Sequence, residues 1–183
     1  MKSFTFRAVF FNAGVGFLII FLLFPQLGRL YYPFLFREEI EELGAVYDLE
    51  PELIAALIHV ESKFNTAAES GKGARGLMQI MPSTGVWVAG GLGILDFDPE
   101  DLFDPQVNLQ IGCWYLASLR EEFSNITTAL AAYNAGRGNV KGWLNNGIWD
   151  GTPENRDDIP FLETRTYLSR IERTLYRYRS LYE

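Results

Sequence analysis

One carboxylate in this chain lies where a carboxylate is costly. Leu53, Ile54, Leu57 and Ile58 recur at helical spacing. Glu61 follows Leu57 by four residues and Ile58 by three, so it shares their apolar face. Phe64 continues the same side, and a stretch rich in glycine and serine comes next. Burial disfavours the charged form of a carboxyl group and raises its pKa. An acid kept protonated near neutral pH can donate its proton to a glycosidic oxygen. Helical position alone equally allows a boundary glutamate that reaches water or pairs with Arg75 or Lys63.

The other reactive side chains narrow the chemistry mainly by exclusion. His59 is the only histidine and Cys113 the only cysteine, so neither a histidine-rich metal site nor a zinc or disulfide framework is available. No metal and no cofactor are expected. His59 stands two residues before Glu61, an offset that turns it to another face, as a packed or surface histidine. Cys113 reads as a small buried apolar residue. Between Glu61 and Asp96 the only other acid is Glu69, although Asp96, Asp98 or Asp101 could fold back. A net charge of −7 argues against a nucleic-acid partner.

The elements that must position Glu61 read as helices. An acidic amphipathic helix runs from Arg37 to about Asp48, and Pro51 opens the helix that carries Glu61. Residues 65–75 form a loop. A short apolar run from Gly76 to Met81 stops at Pro82, and Ser83-Thr84 caps a short helix through Trp87. Asp104-Pro105 starts a helix whose buried face is Val107, Ile111, Trp114, Tyr115 and Leu119. Ile126–Tyr133 is a further helix, closed by Asn134-Ala135-Gly136, and Val140–Leu144 adds a turn or two. Pro160 opens a last helix that keeps Leu168, Ile171, Leu175 and Tyr178 on one stripe. No alternating strand and no repeat is visible. The fold class is all-α, a globule of many short helices. Trp114 reads as core, whereas Trp143 and Trp149, beside glycine-rich loop, are candidates to line a groove.

Residues 1–32 differ in kind from residues 33–183. Lys2 and Arg7 precede an apolar run from Ala8 to Phe24, which Pro25 ends. That length is near the lower limit of a membrane span. Positive charge ahead of it places the N-terminus inside and the body outside, with Tyr31 and Tyr32 at the interface. A cleaved signal peptide is the rival reading, but Pro25-Gln26-Leu27-Gly28 makes a poor cleavage site; a merely buried helix is the third. Either of the first two puts the body in the cell envelope.

Several short motifs occur in order along the body. They are Glu61-Ser62, Gly73-Ala74-Arg75, Gly76-Leu77-Met78-Gln79, Met81-Pro82-Ser83-Thr84, Ala132-Tyr133-Asn134-Ala135-Gly136 and Glu163-Thr164-Arg165-Thr166-Tyr167. Together they resemble the soluble lytic transglycosylase domain of bacterial cell-wall enzymes, which is related to goose-type lysozyme. The resemblance spans roughly residues 34–182 and leaves out the N-terminal segment.

The resemblance implies a lysozyme-like bundle with a long saccharide groove, peptidoglycan glycan strands as substrate, and Glu61 as the catalytic acid and base. It implies cleavage of the β-1,4 bond between N-acetylmuramic acid and N-acetylglucosamine without water, leaving 1,6-anhydro ends. It places Gln79 in the groove near the reacting sugar, Ser70 by the N-acetyl group, Asn134 on substrate, Tyr133 near Glu61, Tyr167 against the Glu61 carboxyl, and Met78 on a sugar face. Each residue also has a plain structural reading. Tyr133 and Tyr167 are then core aromatics, Gln79 and Asn134 helix-end caps, and Ser70 a turn residue. A lysozyme-type hydrolase and a non-catalytic peptidoglycan-binding envelope protein are the competing functions. No protein partner is named by any motif.

Overall fold

The computed structural model describes residues 26–183. The apolar run from Ala8 to Phe24, and with it the expected anchor or signal segment, lies outside the described residues. No helix among the described residues is long and apolar enough to cross a membrane. After a short helix over residues 26–31 come α1 (Arg37–Tyr47), α2 (Pro51–Glu61), α3 (Pro82–Leu92), α4 (Pro105–Phe123), α5 (Ile126–Ala135), α6 (Arg137–Asn145) and α7 (Leu162–Tyr182). Turns of 3-10 helix lie at Pro99–Phe103 and Arg156–Asp158. The described residues hold no strand, only isolated antiparallel bridges of Arg75 with Glu69 and with Ile80.

The core is built around α2. Leu53 through Ile58 are buried without interruption, the pattern of a helix enclosed on most sides. Its main partner is α7, which buries Tyr167, Leu168, Ile171, Thr174 and Tyr178 and turns its charged residues outward. The Asp104 carboxylate caps α4 by accepting from the backbone N–H groups of Gln106 and Val107, worth about 1 kcal/mol. Asn125 caps α5 in the same way through the N–H of Thr128.

Three local expectations change. Pro82 opens α3 at its first turn instead of ending the segment before it, and no side chain caps the helix. The helix also continues past Trp87 through Gly90 and Gly91 to Gly93, which takes φ +68°. Packing of Gly85 against Phe97 and Leu102, with Val88 and Ala89 buried, outweighs the low propensity of the glycines. Trp143 and Trp149 are core residues, at 6% and 2% exposure. Positive φ at Gly147 and Gly151 folds that loop back over them. The Trp149 indole donates to the Thr152 carbonyl at 3.0 Å, and the Trp143 ring meets Phe161 edge-on. Neither is available to stack on a sugar.

Candidate active site

Glu61 ends α2 because the next turn cannot continue it: Lys63 and Phe64 both take left-handed φ, 53° and 63°. The Ser62 hydroxyl then ties the helix end to the following loop, donating to the Leu77 carbonyl at 2.7 Å. That loop is braced from α4. The buried Asn108 side chain accepts from the Met78 N–H at 2.8 Å and donates to the carbonyls of Arg75 and Leu102 at 2.9 and 2.7 Å. Gly76 is forced at the crossing: at φ +73° an added Cβ would lie 2.1 Å from the Leu102 carbonyl oxygen and 2.3 Å from Asn108 Nδ2. Arg75 pairs with Glu69 and Glu100 and covers Phe103, so it braces the same loop and does not reach Glu61.

The result is a cleft of about 520 Å³ into which α2, the α2–α3 loop, the end of α5 and the start of α7 each contribute. Glu61, Ser70, Gln79, Asn134 and Tyr167 all line it. Ser70 Oγ accepts from the Ala74 N–H at 2.9 Å, which leaves its own proton for the cleft. Gln79 sits at φ +49° and spends its amide N–H groups on the carbonyls of Ala68 and Gly76, which leaves its Oε1 as an acceptor. Asn134 Oδ1 accepts from the Thr164 hydroxyl at 2.8 Å, and its amide N–H groups remain as donors.

Burial pushes the Glu61 carboxyl up to about 7. The nearby Tyr167 hydroxyl and the Arg170 guanidinium oppose that rise, and the Glu163 carboxylate adds to it. The Tyr167 hydroxyl is itself buried without a hydrogen bond of full geometry, beside a carboxyl group that can accept one. Tyr133 stands behind the acid: its hydroxyl donates to the Met78 carbonyl at 2.7 Å and its ring packs on Tyr115. Burial and the charge on Glu61 both hold the Tyr133 phenol protonated. A buried acid held near neutrality in a cleft lined by free donors and acceptors is equipped for proton transfer to and from a bound polar substrate.

Residues 38–153 match the family model of the transglycosylase SLT domain. The chain belongs to that family. It is 38% identical over 128 residues to the soluble lytic murein transglycosylase of Salmonella typhimurium, covering 68% of this chain and 20% of that one. It is 33% identical over 144 residues to membrane-bound lytic murein transglycosylase F of Desulfosudis oleivorans, covering 72% of this chain and 30% of that one. Among solved structures, lytic transglycosylase Slt of Pseudomonas aeruginosa, determined as an inactive mutant with glutamine in place of a glutamate, is similar at TM-score 0.74 and 33% identity, covering 81% of this chain and 24% of that one. The chain thus spans between a fifth and a third of the length of these relatives.

Against the SLT-family expectations, the structure gathers Glu61, Ser70, Gln79, Asn134 and Tyr167 into one cleft and sets Tyr133 just behind it. Met78 is placed elsewhere. Its side chain is fully buried and fills the space over Gly112 of α4, where an added Cβ would lie 2.2 Å from Sδ. It meets no sugar in this position, and its backbone carbonyl instead orients Tyr133. His59 is packed among Tyr31, Tyr32 and Tyr178. Asp98 and Asp101 cap a 3-10 turn and do not line the cleft. Three further residues have roles that the sequence reading did not assign. Asn108 is a polar side chain three residues before Ile111 on a buried stripe, a signal that was present. Glu163 and Arg170 flank Tyr167 on an outward face, where charges are ordinary.

Proposed function

We propose that the protein is a peptidoglycan lytic transglycosylase in which Glu61 serves first as acid and then as base. The observation that carries this reading is the Glu61 carboxyl, held near 7 by burial in the cleft, so that both of its protonation states are accessible near neutral pH. In the first step Glu61 gives its proton to the glycosidic oxygen, and the bond from that oxygen to the muramyl C1 breaks. The positive charge developing at C1 is met by the substrate's own N-acetyl group. Glu61, now ionised, takes the proton of the muramyl C6 hydroxyl as that oxygen bonds to C1. The acid is regenerated, no water is consumed, and a 1,6-anhydro end remains. The free groups of Ser70, Gln79 and Asn134 orient the sugar, and the Tyr167 hydroxyl donates to Glu61 while it is charged.

A lysozyme-type hydrolase is the second reading, and Glu163 favours it. This carboxylate lines the same cleft and would be the base that activates water. It is exposed and 3.7 Å from Lys72, a solvated position for a group with that task. Product masses decide between the two, since every anhydro end is lighter than a hydrolysed end by one water. Glu61→Gln is expected to abolish release of muropeptides from sacculi while sacculus binding persists. A variant that still releases anhydro-muropeptides removes Glu61 from the mechanism, and loss of binding together with turnover makes Glu61 a residue that binds substrate.

We further propose that residues 1–32 anchor residues 33–183, the catalytic domain, on the outer side of the membrane facing the wall. Lys2 and Arg7 ahead of the apolar run support this. N-terminal sequencing of the mature protein distinguishes an anchor from a cleaved signal.

A further inference from the structure

The cleft at Glu61 has a larger neighbour. A concavity of about 1000 Å³ lies beside it, between the segment carrying Tyr31 and Tyr32 and the C-terminal half of α7. The two share Val60 and Arg170 as a common wall. Its lining is cationic in a chain of net charge −7: Lys63, Arg173 and Arg177 are exposed there. Among the described residues no carboxylate pairs with any of these three. Of the nearby acids, Glu172 is engaged by Arg156 and Glu50 by Arg179, and Glu52 and Glu183 cluster with Glu50 beside Arg179. The rim is aromatic, with Tyr31 at 66% and Tyr176 at 68% exposure, and Leu30, exposed, precedes Tyr31 in the chain.

The position of this surface relative to the N-terminus is fixed by hydrogen bonds. Arg29 donates to the Leu181 carbonyl at 2.8 Å, Tyr178 to the carbonyl of Pro33 at 2.7 Å, and Tyr182 to that of Tyr32 at 2.8 Å. The segment that follows the apolar run is thereby held on the same end of α7 that presents Arg173 and Arg177. A chain leaving the bilayer at about Phe24 has only a few residues before this rim. Unpaired cations ringed by exposed tyrosine and leucine suit the headgroup layer, where amphipathic rings and basic side chains sit together.

We propose that this surface docks on the bilayer itself, its Lys63, Arg173 and Arg177 seated on the phosphodiester headgroups of anionic phospholipids. The docking rests on the anchor reading above and adds to it a fixed orientation: the catalytic body lies down on the membrane instead of swinging on its tether, with the Glu61 cleft beside the docked face. Each basic side chain near an anionic surface is worth roughly fivefold in surface association, so removing three lowers the docking equilibrium constant on the order of a hundredfold.

The test uses the full chain carrying Ser180→Cys, labelled with a fluorophore, since Cys113 is buried. It is reconstituted into vesicles of phosphatidylglycerol or of phosphatidylcholine, each doped with a headgroup quencher, and floated on a density gradient. The docked state predicts strong quenching in phosphatidylglycerol and weak quenching in phosphatidylcholine. The Lys63→Gln/Arg173→Gln/Arg177→Gln variant should lose the quenching in phosphatidylglycerol, and the Arg173→Lys/Arg177→Lys variant should keep it. Flotation with both lipids but equal quenching in both keeps the anchor and overturns the docking. Flotation with phosphatidylglycerol alone, and only with the three cations in place, keeps the docking and overturns the anchor. Quenching by phosphatidylglycerol that the triple glutamine variant retains also overturns the docking.

Discussion

Replacing Glu61 by glutamine is expected to stabilise the protein at alkaline pH and to change little at acidic pH. The Glu61 carboxyl rises from an ordinary 4.5 to about 7 in the folded state. That difference of roughly 2.5 units, at about 1.4 kcal/mol per unit, corresponds to roughly 3 kcal/mol. Glu61 retains some exposure, and water screening reduces the expected effect to about 2 kcal/mol. The sign follows from proton linkage. Between the two pKa values the folded protein holds a proton that the unfolded chain has released, so Glu61 contributes its full stability below about pH 4.5 and loses it as pH climbs through about 7. Glutamine is neutral throughout. The gap between variant and wild type should therefore be near zero at about pH 4, open through neutrality, and level off at about pH 8. Urea unfolding of the full chain in mild detergent, followed by near-ultraviolet circular dichroism across that range, measures it. Groups remote from Glu61 contribute equally in the two proteins and cancel. A stability difference that does not vary with pH, or a variant less stable than wild type at about pH 8, would refute the claim that folding forces Glu61 to keep its proton.

The same electrostatics predicts opposite movements of the alkaline limb of activity, where Glu61 loses its acidic proton. Tyr167→Phe removes a group that favours the charged carboxylate, so the limb should move to higher pH. Glu163→Gln removes a repelling charge, so the limb should move to lower pH; initial rates across pH on isolated glycan strands read both. Asn108→Ala leaves the Met78 N–H and the carbonyls of Arg75 and Leu102 without partners and should destabilise by about 3 kcal/mol or more, seen as a lower urea midpoint. Gly76→Ala places a methyl group against Leu102 and Asn108 at a positive φ and should cost about 3 kcal/mol or more, with loss of turnover because Gln79 shifts with the loop.

Legibility in the sequence followed the range of the physics involved. Glu61 was readable because the offsets from Leu57 and Ile58 are a property of one helix. The start of α4 was readable because Asp104 and Pro105 act within a single turn. The stripe of α7 was readable for the same reason as Glu61. Ser70, Gln79, Asn134 and Tyr167 lie on four separate stretches, and only the ordered motifs joined them before the fold did. What escaped depended on contacts between distant segments. Pro82 and the three glycines of α3 have local propensities that point away from a continuous helix, and packing of Gly85 against Phe97 and Leu102 with burial of Val88 and Ala89 overrode them. Trp143 and Trp149 were misplaced because glycine-rich surroundings suggest exposure, yet those glycines fold the loop inward. Met78 sits within a motif that borders the cleft, but its side chain points to Gly112 of α4, a direction no spacing along the loop reveals.

The central claim is that Glu61 carries a proton from the muramyl C6 hydroxyl to the departing glycosidic oxygen and that water takes no part. Digestion of purified sacculi by the full chain in heavy-oxygen water tests it most directly. The account predicts anhydro-muropeptides without label at the new ends, produced by wild type and not by Glu61→Gln. Heavy oxygen at each new muramyl C1, with reducing ends in place of anhydro ends, would contradict it and pass the role of base to Glu163.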